Sequence, residues 1–368
     1  MLRFVWQIEL KGSARKPSML QPRLYFYIPQ PLWTNEFPRD ARCNWSGFGL
    51  GVYAWTLQTY LWLQAVGFPC TLVSDLPQEG IIFLHRNAFR YHRRGIEVFP
   101  KRLLVCFQGD LMPHPDAQVH IVQNRTQENP KAGAYFMPHW SQPGLQPRNL
   151  DRGDRFERLS FLGHTANLAP EFADPQWAKT LEKLGLIWCP VINTNRWDQH
   201  HRIDTRWNDY QEIDAIVAVR SFNPAVLKQT KNYFNKPATK LYNAWLVGVP
   251  AILGQESGYR AERQSDLDYL EVTSLAETIQ AVTRLKEDLV LRQAIVLNGR
   301  ERSRTLTPEA ITEQWFCLIQ ERLFPAYENW CRWSHWQQKV MVYRSRLSYG
   351  SQRLQQRLQD WQYSLIQG

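Results

Sequence analysis

Short, unbroken apolar runs set the rhythm of this chain. They fall at residues 24–28, 71–73, 81–84, 103–107, 119–122 and 135–137. Runs that do not alternate apolar with polar predict strands buried on both faces, as in a parallel sheet. A helix is predicted over 52–66, apolar almost all round and stopped by Gly67 and Pro69. A second series begins near residue 159. Its strands are expected at 159–162, 186–191, 215–219, 251–253 and 269–272, and its helices at 177–184, 239–247, 275–286 and 289–303. Thr307, followed by Pro308 and Glu309, starts a further helix. The stretch 143–155 between the series is rich in Pro, Gly, Asn and charge, as linkers are. The expected organisation is therefore an irregular segment 1–20, an α/β unit 21–150, a second α/β unit 151–328 and a tail 329–368.

The length of 368 residues suits two such units, each with its own core. The net charge of +10 points to anionic partners without choosing among them. The 16 Trp, 15 Tyr and 17 Phe are an unusual density of rings, and aromatics serve both cores and ligand surfaces. No apolar run approaches the ~20 residues of a membrane span. The six cysteines show no C-x-x-C spacing, and residues 1–10 have no apolar signal core, so a reducing, cytoplasmic setting is expected. The pair His200-His201 lacks a third ligand at metal spacing and reads as exposed loop; no metal is expected.

The tail carries Arg332, Lys339, Arg344, Arg346, Arg353 and Arg357 against a single acid, Asp360, with Trp333, Trp336 and Tyr343 interleaved. It reads as long helix, broken near Gly350. Such a helix suits a strap over the first unit, a contact with an anionic membrane, or nucleic acid, the last being the least favoured.

The most informative segment is Lys236-Pro-Ala-Thr-Lys-Leu-Tyr-Asn-Ala-Trp-Leu-Val-Gly-Val-Pro-Ala-Ile-Leu-Gly254. It predicts a helix with Pro237 at its start and Gly248 at its end, then a buried strand. Lys236 and Lys240 sit at the positive end of the helix dipole, a placement that makes sense if an anion binds there. Thr239 adds a hydroxyl. The other reading is two solvated lysines on an ordinary α/β unit.

Two α/β units with a phosphate-type helix in the second are the plan of GT-B glycosyltransferases, and residues 236–272 resemble their donor-binding region. Within that fold the chain resembles a group of bacterial, especially cyanobacterial, glycosyltransferase-like proteins. The segments Pro113-His-Pro-x-Ala-Gln-x-His-Ile-Val-Gln-Asn124 and Pro138-His-Trp-x-Gln-Pro-Gly-Leu145 carry that likeness. The resemblance implies two Rossmann-like domains facing a cleft, with a C-terminal helical extension. It also implies a nucleotide-sugar donor and a hydroxyl acceptor, lipid-linked or polysaccharide. Many retaining members carry two glutamates eight positions apart around this helix; here Asn235 and Asn243 take those places. An inverting mechanism is favoured, and Asn243 is expected on the donor side.

Sugar transfer needs positive charge at the departing diphosphate and a base for the acceptor. Arg220, which ends the strand 215–219, is assigned with Thr239 and Lys240 to the diphosphate, because ligands bind at the carboxyl ends of strands. Gly163 and His164 follow the strand 159–162 and are placed beside the donor. Glu256 follows the next strand end and either holds donor-sugar hydroxyls or is a surface carboxylate. Gly47-x-Gly49-x-Gly51 departs from the dinucleotide fingerprint and is read as a flexible loop that lets an acceptor or donor approach, Gly47 and Gly49 being placed on the acceptor side. Trp140 is expected to stack on a base or sugar. For the base the candidates are Asp110, then Asp40, with His114 close by. Two rivals remain at this stage: a sugar-nucleotide epimerase on the same fold, and a non-enzymatic binder of nucleic acid or polysaccharide.

Overall fold

The computed structural model describes residues 21–193 and 205–367. The segment 1–20 and the pair His200-His201 lie outside the described residues. Strands β1 (Leu24–Tyr27), β2 (Cys70–Val73), β3 (Gly80–His85), β4 (Arg102–Phe107), β5 (Val119–Val122) and β6 (Ala134–Phe136) form one sheet in the order β2-β1-β3-β4-β5-β6. Every pairing in it is parallel. β3, β4 and β5 are buried at every position, which is why their sequences do not alternate. The apolar helix behind this sheet opens with π-helical turns at Val52–Leu57 and continues as α1 (Gln58–Ala65).

The second sheet contains β7 (Arg158–Ser160), β9 (Ile187–Trp188), β11 (Ala215–Ala218), β12 (Ala251–Gly254) and β13 (Leu270–Val272), in the order β13-β12-β11-β7-β9. After short breaks β7 and β9 run on into β8 (Leu162–His164) and β10 (Val191–Asn193), which pair in parallel. The helices of this unit are α2 (Pro175–Lys183), α3 (Pro224–Gln229), α4 (Thr239–Val247), α5 (Ser257–Glu262), α6 (Leu275–Glu287) and α7 (Leu289–Ser303). Both sheets start in the middle, place their second strand on one side and their third on the other. That reversal leaves a crevice at the carboxyl ends of the strands. The arrangement is the GT-B one, two Rossmann-like sheets with their crevices turned toward each other.

After Arg304–Leu306 the chain crosses back to the first unit. Ile311 and Trp315 of α8 (Pro308–Leu318), then Ile319, Leu323 and Trp330, are buried in the core of the first sheet. Trp315 meets Phe83 and Phe107 edge-on. By packing, the second unit thus ends near Leu306, whereas grouping 151–328 places this helix with the wrong core. An amphipathic pattern says that a helix has a buried face, not which sheet receives it.

The tail is a strap. α9 (Phe324–Arg332) gives way at Trp333 to α10 (His335–Gln367). Ser334 and Gln337 begin α10 with a reciprocal cap: each side chain accepts from the other's backbone N–H. The expected break at Gly350 is not there; α10 runs through it. Glycine costs a helix only about 1 kcal/mol, and a Cβ at this position would meet nothing within 4 Å, so no close approach calls for the glycine. The inner face of α10 is tied to the first unit. Gln338 donates to the carbonyls of Pro100 and Trp330, at 3.1 and 2.6 Å. Arg346 pairs with buried Asp116 at 2.6 Å, and Tyr349 accepts from Arg86 at 2.9 Å.

Candidate functional site

A cavity of about 240 Å³ lies where the two crevices meet. Its second-unit wall is the end of β8 and the start of α4. No side chain caps α4, which leaves its first N–H groups without an intrahelical or side-chain acceptor, and its first residues Thr239 and Lys240 line the cavity. Lys240 Nζ donates to the carbonyl of Leu162 at 2.9 Å and sits over the Phe161 ring. Burial, with Arg220 nearby, pulls its pKa down to about 7 against the opposing pull of Glu256. Gly163 leaves room for Lys240 here: a Cβ would stand 2.8 Å from Lys240 Nζ and 3.1 Å from the Phe161 ring, so the ammonium would have to move. His164 lines the cavity and uses Nδ1 to accept from the N–H of Ala166 at 3.1 Å. Asn243 lines it too, donating to Gln142 at 3.1 Å across the domain boundary.

Arg220 and Glu256 form a buried pair just behind this wall, Nε to Oε2 at 2.8 Å. Arg220 also donates to Asn167, which does line the cavity. The second carboxylate oxygen of Glu256 is buried with no hydrogen-bond partner. Glu256 is therefore no surface carboxylate.

The first-unit wall is aromatic and small. Gly49 lines the cavity with Trp45, Phe48 and Gly51. Gly47 lies under the Trp45 ring, where any Cβ would fall 2.2 Å from ring carbon. Trp140 belongs to the wall, but its ring stacks on Trp62 and its N–H is spent on Thr59 at 2.8 Å. It shapes the cavity as buried core rather than as an open stacking face. Among the described residues lining this cavity there is no Asp or Glu. Among the described residues, no cluster of His, Cys, Asp or Glu is arranged to hold a metal ion.

The three base candidates sit elsewhere. Asp40 accepts from the N–H of Arg42 at 2.8 Å in an exposed turn. His114 stacks on Phe89 at 3.7 Å beside the tail, and burial drives its pKa down to about 3. Asp110 accepts from Gln123 at 2.6 Å and is ion-paired with Lys236. That pair also corrects the donor-side assignment of Lys236, which turns to the first unit instead of the cavity. Around it Asn124 donates to the Lys236 carbonyl at 3.1 Å and to Ser257 at 2.9 Å, and Gln123 donates to the Asn235 carbonyl at 3.0 Å. These contacts fasten the two units together. In a turn, carboxylates more often cap or pair than act as bases.

The residue that sequence reasoning sets near the domain junction, where a cleft would form, without giving it a role is His139. It lines the cavity from the first unit, edge-on to Trp55. Its Nδ1 lies 3.1 Å from the carbonyl of Trp140, which only accepts, so Nδ1 carries the proton. Nε2 is then a basic lone pair. Burial lowers the pKa of the ring and keeps it neutral near pH 7. The signal available was its position three residues past the end of β6, at the carboxyl edge of the sheet.

No family model and no curated protein matches the sequence. Solved structures do resemble the fold. HepE of Anabaena in complex with UDP-glucose aligns over 82% of this chain and 100% of its own, with a TM-score of 0.47 and 12% identity. Sucrose-phosphate synthase from Thermosynechococcus elongatus covers 74% of this chain and 78% of its own, with a TM-score of 0.43 and 14% identity. The UDP-forming α,α-trehalose-phosphate synthase from Burkholderia vietnamiensis gives 72% and 76%, with a TM-score of 0.41 and 11% identity. At this distance the similarity is one of fold.

Proposed function

We propose that this chain is an inverting glycosyltransferase that moves a sugar from a nucleotide diphosphate to a hydroxyl acceptor in polysaccharide or glycolipid assembly. One observation carries the reading: a cavity between the carboxyl ends of two sheets is served by an uncapped helix N-terminus and Lys240, with no carboxylate among the described residues that line it. The diphosphate is received by the N–H groups of α4, Thr239 and Lys240, with Arg220 adding positive field from behind. As the bond from the sugar to the diphosphate breaks, negative charge grows on the leaving oxygen, and Lys240 stabilises it. The acceptor enters along the wall of Trp45, Phe48 and Gly49. Nε2 of His139 takes its proton as the new bond forms. Asn235 and Asn243 offer no carboxylate for a covalent intermediate, which supports direct displacement. The buried free oxygen of Glu256 suits a donor-sugar hydroxyl reached by a small movement of the wall. All six cysteines are unpaired, which supports a reducing, cytoplasmic setting.

The test is calorimetry with a panel of nucleoside diphosphates and their sugars, followed by turnover assays. One nucleoside diphosphate is expected to bind the wild type. His139→Gln is expected to lower kcat by about 10²–10⁴-fold with unchanged donor affinity. Absence of binding to any nucleoside diphosphate at low salt sinks the reading, and donor turnover without an acceptor favours an epimerase instead.

A further inference from the structure

The strap explains only one face of α10. On the opposite face Trp336, Tyr343, Leu347 and Leu354 are 72%, 62%, 55% and 61% exposed. Their separations of seven, four and seven residues place them within about 40° of one another at 3.6 residues per turn. Trp333, at the start of the helix, is 44% exposed. Five of the thirteen large exposed hydrophobic residues among those described thus fall within residues 333–354. Single exposed hydrophobics need no explanation, but a contiguous ridge does. The ridge is flanked by charge of one sign. Lys339 and Arg353 lie on one side and Arg344 on the other, all exposed, and no acid occurs between Glu328 and Asp360. The basic loop with Arg93 and Arg94 adjoins the same helix, since Gly95 packs against the guanidinium of Arg346.

We infer that this outer face docks on an anionic phospholipid bilayer, with α10 lying in the plane of the interface. Among the described residues no helix is long and apolar enough to cross a membrane, so the contact is peripheral. The chemistry selects this occupant. Trp and Tyr favour the headgroup level, Leu the acyl boundary, and Lys and Arg the lipid phosphates. A second copy of the chain would bring two like-charged helices together. Nucleic acid would satisfy the cations and leave the leucines in water. The inner face, held by Gln338, Val342 and the Arg346–Asp116 pair, keeps the ridge pointed outward. This docking stands on the tail alone and does not rest on the transfer chemistry.

The experiment is flotation of the full chain with phosphatidylglycerol–phosphatidylcholine vesicles and with pure phosphatidylcholine vesicles. Binding is expected to the anionic vesicles and to fall steeply with salt. The double variant Trp336→Ser, Leu347→Ser removes apolar ridge, and Lys339→Glu, Arg344→Glu reverses flanking charge. Each is expected to weaken partitioning by about tenfold or more. All four residues are exposed, so an unchanged Tm should accompany the loss. Wild-type protein that ignores anionic vesicles overturns the inference, as does binding indifferent to the ridge variant. So does a ridge variant that turns a dimer into a monomer, which would make this face a contact between copies.

Discussion

The two ends of strand β11 each hold a buried arginine–carboxylate cluster, and they are built differently. At the amino end Asp214 is saturated. It accepts from Arg148 Nε and Arg152 Nε, both at 2.9 Å, from Arg152 Nη2 at 2.8 Å, and from the N–H groups of Glu157 and Arg158, both at 2.9 Å. Burial alone would raise its pKa, but these donors outweigh it and hold the carboxyl below its ordinary value. At the carboxyl end Glu256 engages Arg220 through one oxygen and leaves the other buried and unpaired. Beside it Lys240 has one carbonyl partner for an ammonium that donates three bonds. A saturated cluster has nothing left to offer a ligand and works as a structural fastener. An unsaturated one carries a desolvation cost that a ligand can relieve.

The largest effect should therefore come from the end that binds nothing. Asp214→Asn removes the buried charge that holds Arg148 and Arg152, leaving Arg152 only the exposed carboxylates of Glu212 and Glu157, and should lower unfolding stability by about 3–5 kcal/mol, read by chemical denaturation. Nucleotide affinity should be unchanged where the variant is folded; a selective loss of affinity would erase the contrast. At the other end Lys240→Met should weaken nucleoside diphosphate binding by about 1.5–3 kcal/mol, with stability unchanged or raised. A matching loss of stability would make Lys240 a fastener as well.

The same lysine gives the comparison a pH axis. A bound diphosphate favours the charged ammonium, so binding near and above pH 7 should take up a proton. Affinity should be highest below pH 7 and fall by up to about tenfold per pH unit as pH rises through 7 toward the bound-state pKa. Calorimetry in buffers of different ionisation enthalpy measures that uptake. The stability of the free protein runs the other way. Lys240 is neutral in the fold from about pH 7 but protonated in the unfolded chain up to about 10.4, so its contribution to stability rises with pH across that window. Smallest in its effect on binding is Glu256→Gln. It leaves buried Arg220 beside a neutral partner and so should lower stability as Asp214→Asn does; where folded, it should narrow the preference for nucleotide sugar over free diphosphate by a few-fold, about 0.5–1.5 kcal/mol, in competition titrations. An unchanged preference removes Glu256 from the sugar.

Much of this contrast was legible along the chain, and the part that was not has a physical cause. The helix start at Thr239 and the glycine at 163 are local signals, because dipoles, caps and close approach depend on neighbours in sequence. Arg220 and Glu256 were found as strand ends, but their pairing across 36 residues was not. Asp110 and Lys236 each look chemically available in isolation; 126 residues apart in sequence, they cancel each other. His139 was legible as a residue near the domain junction, where a cleft would form, but not as a base, because a histidine before a tryptophan has no signature. Only the carbonyl of Trp140 and the opposing wall make its Nε2 a base facing a cavity.

The sequence by itself determined the two parallel α/β units, the phosphate-type helix and the one-signed charge of the tail. Unbroken apolar runs, capping residues and composition are properties of short windows. The tertiary structure decided which sheet α8 completes, which candidate acids are tied up across the boundary, and which face of α10 is left outward. Those outcomes depend on pairings between residues far apart in the chain, where burial and hydrogen bonding are settled by what arrives opposite.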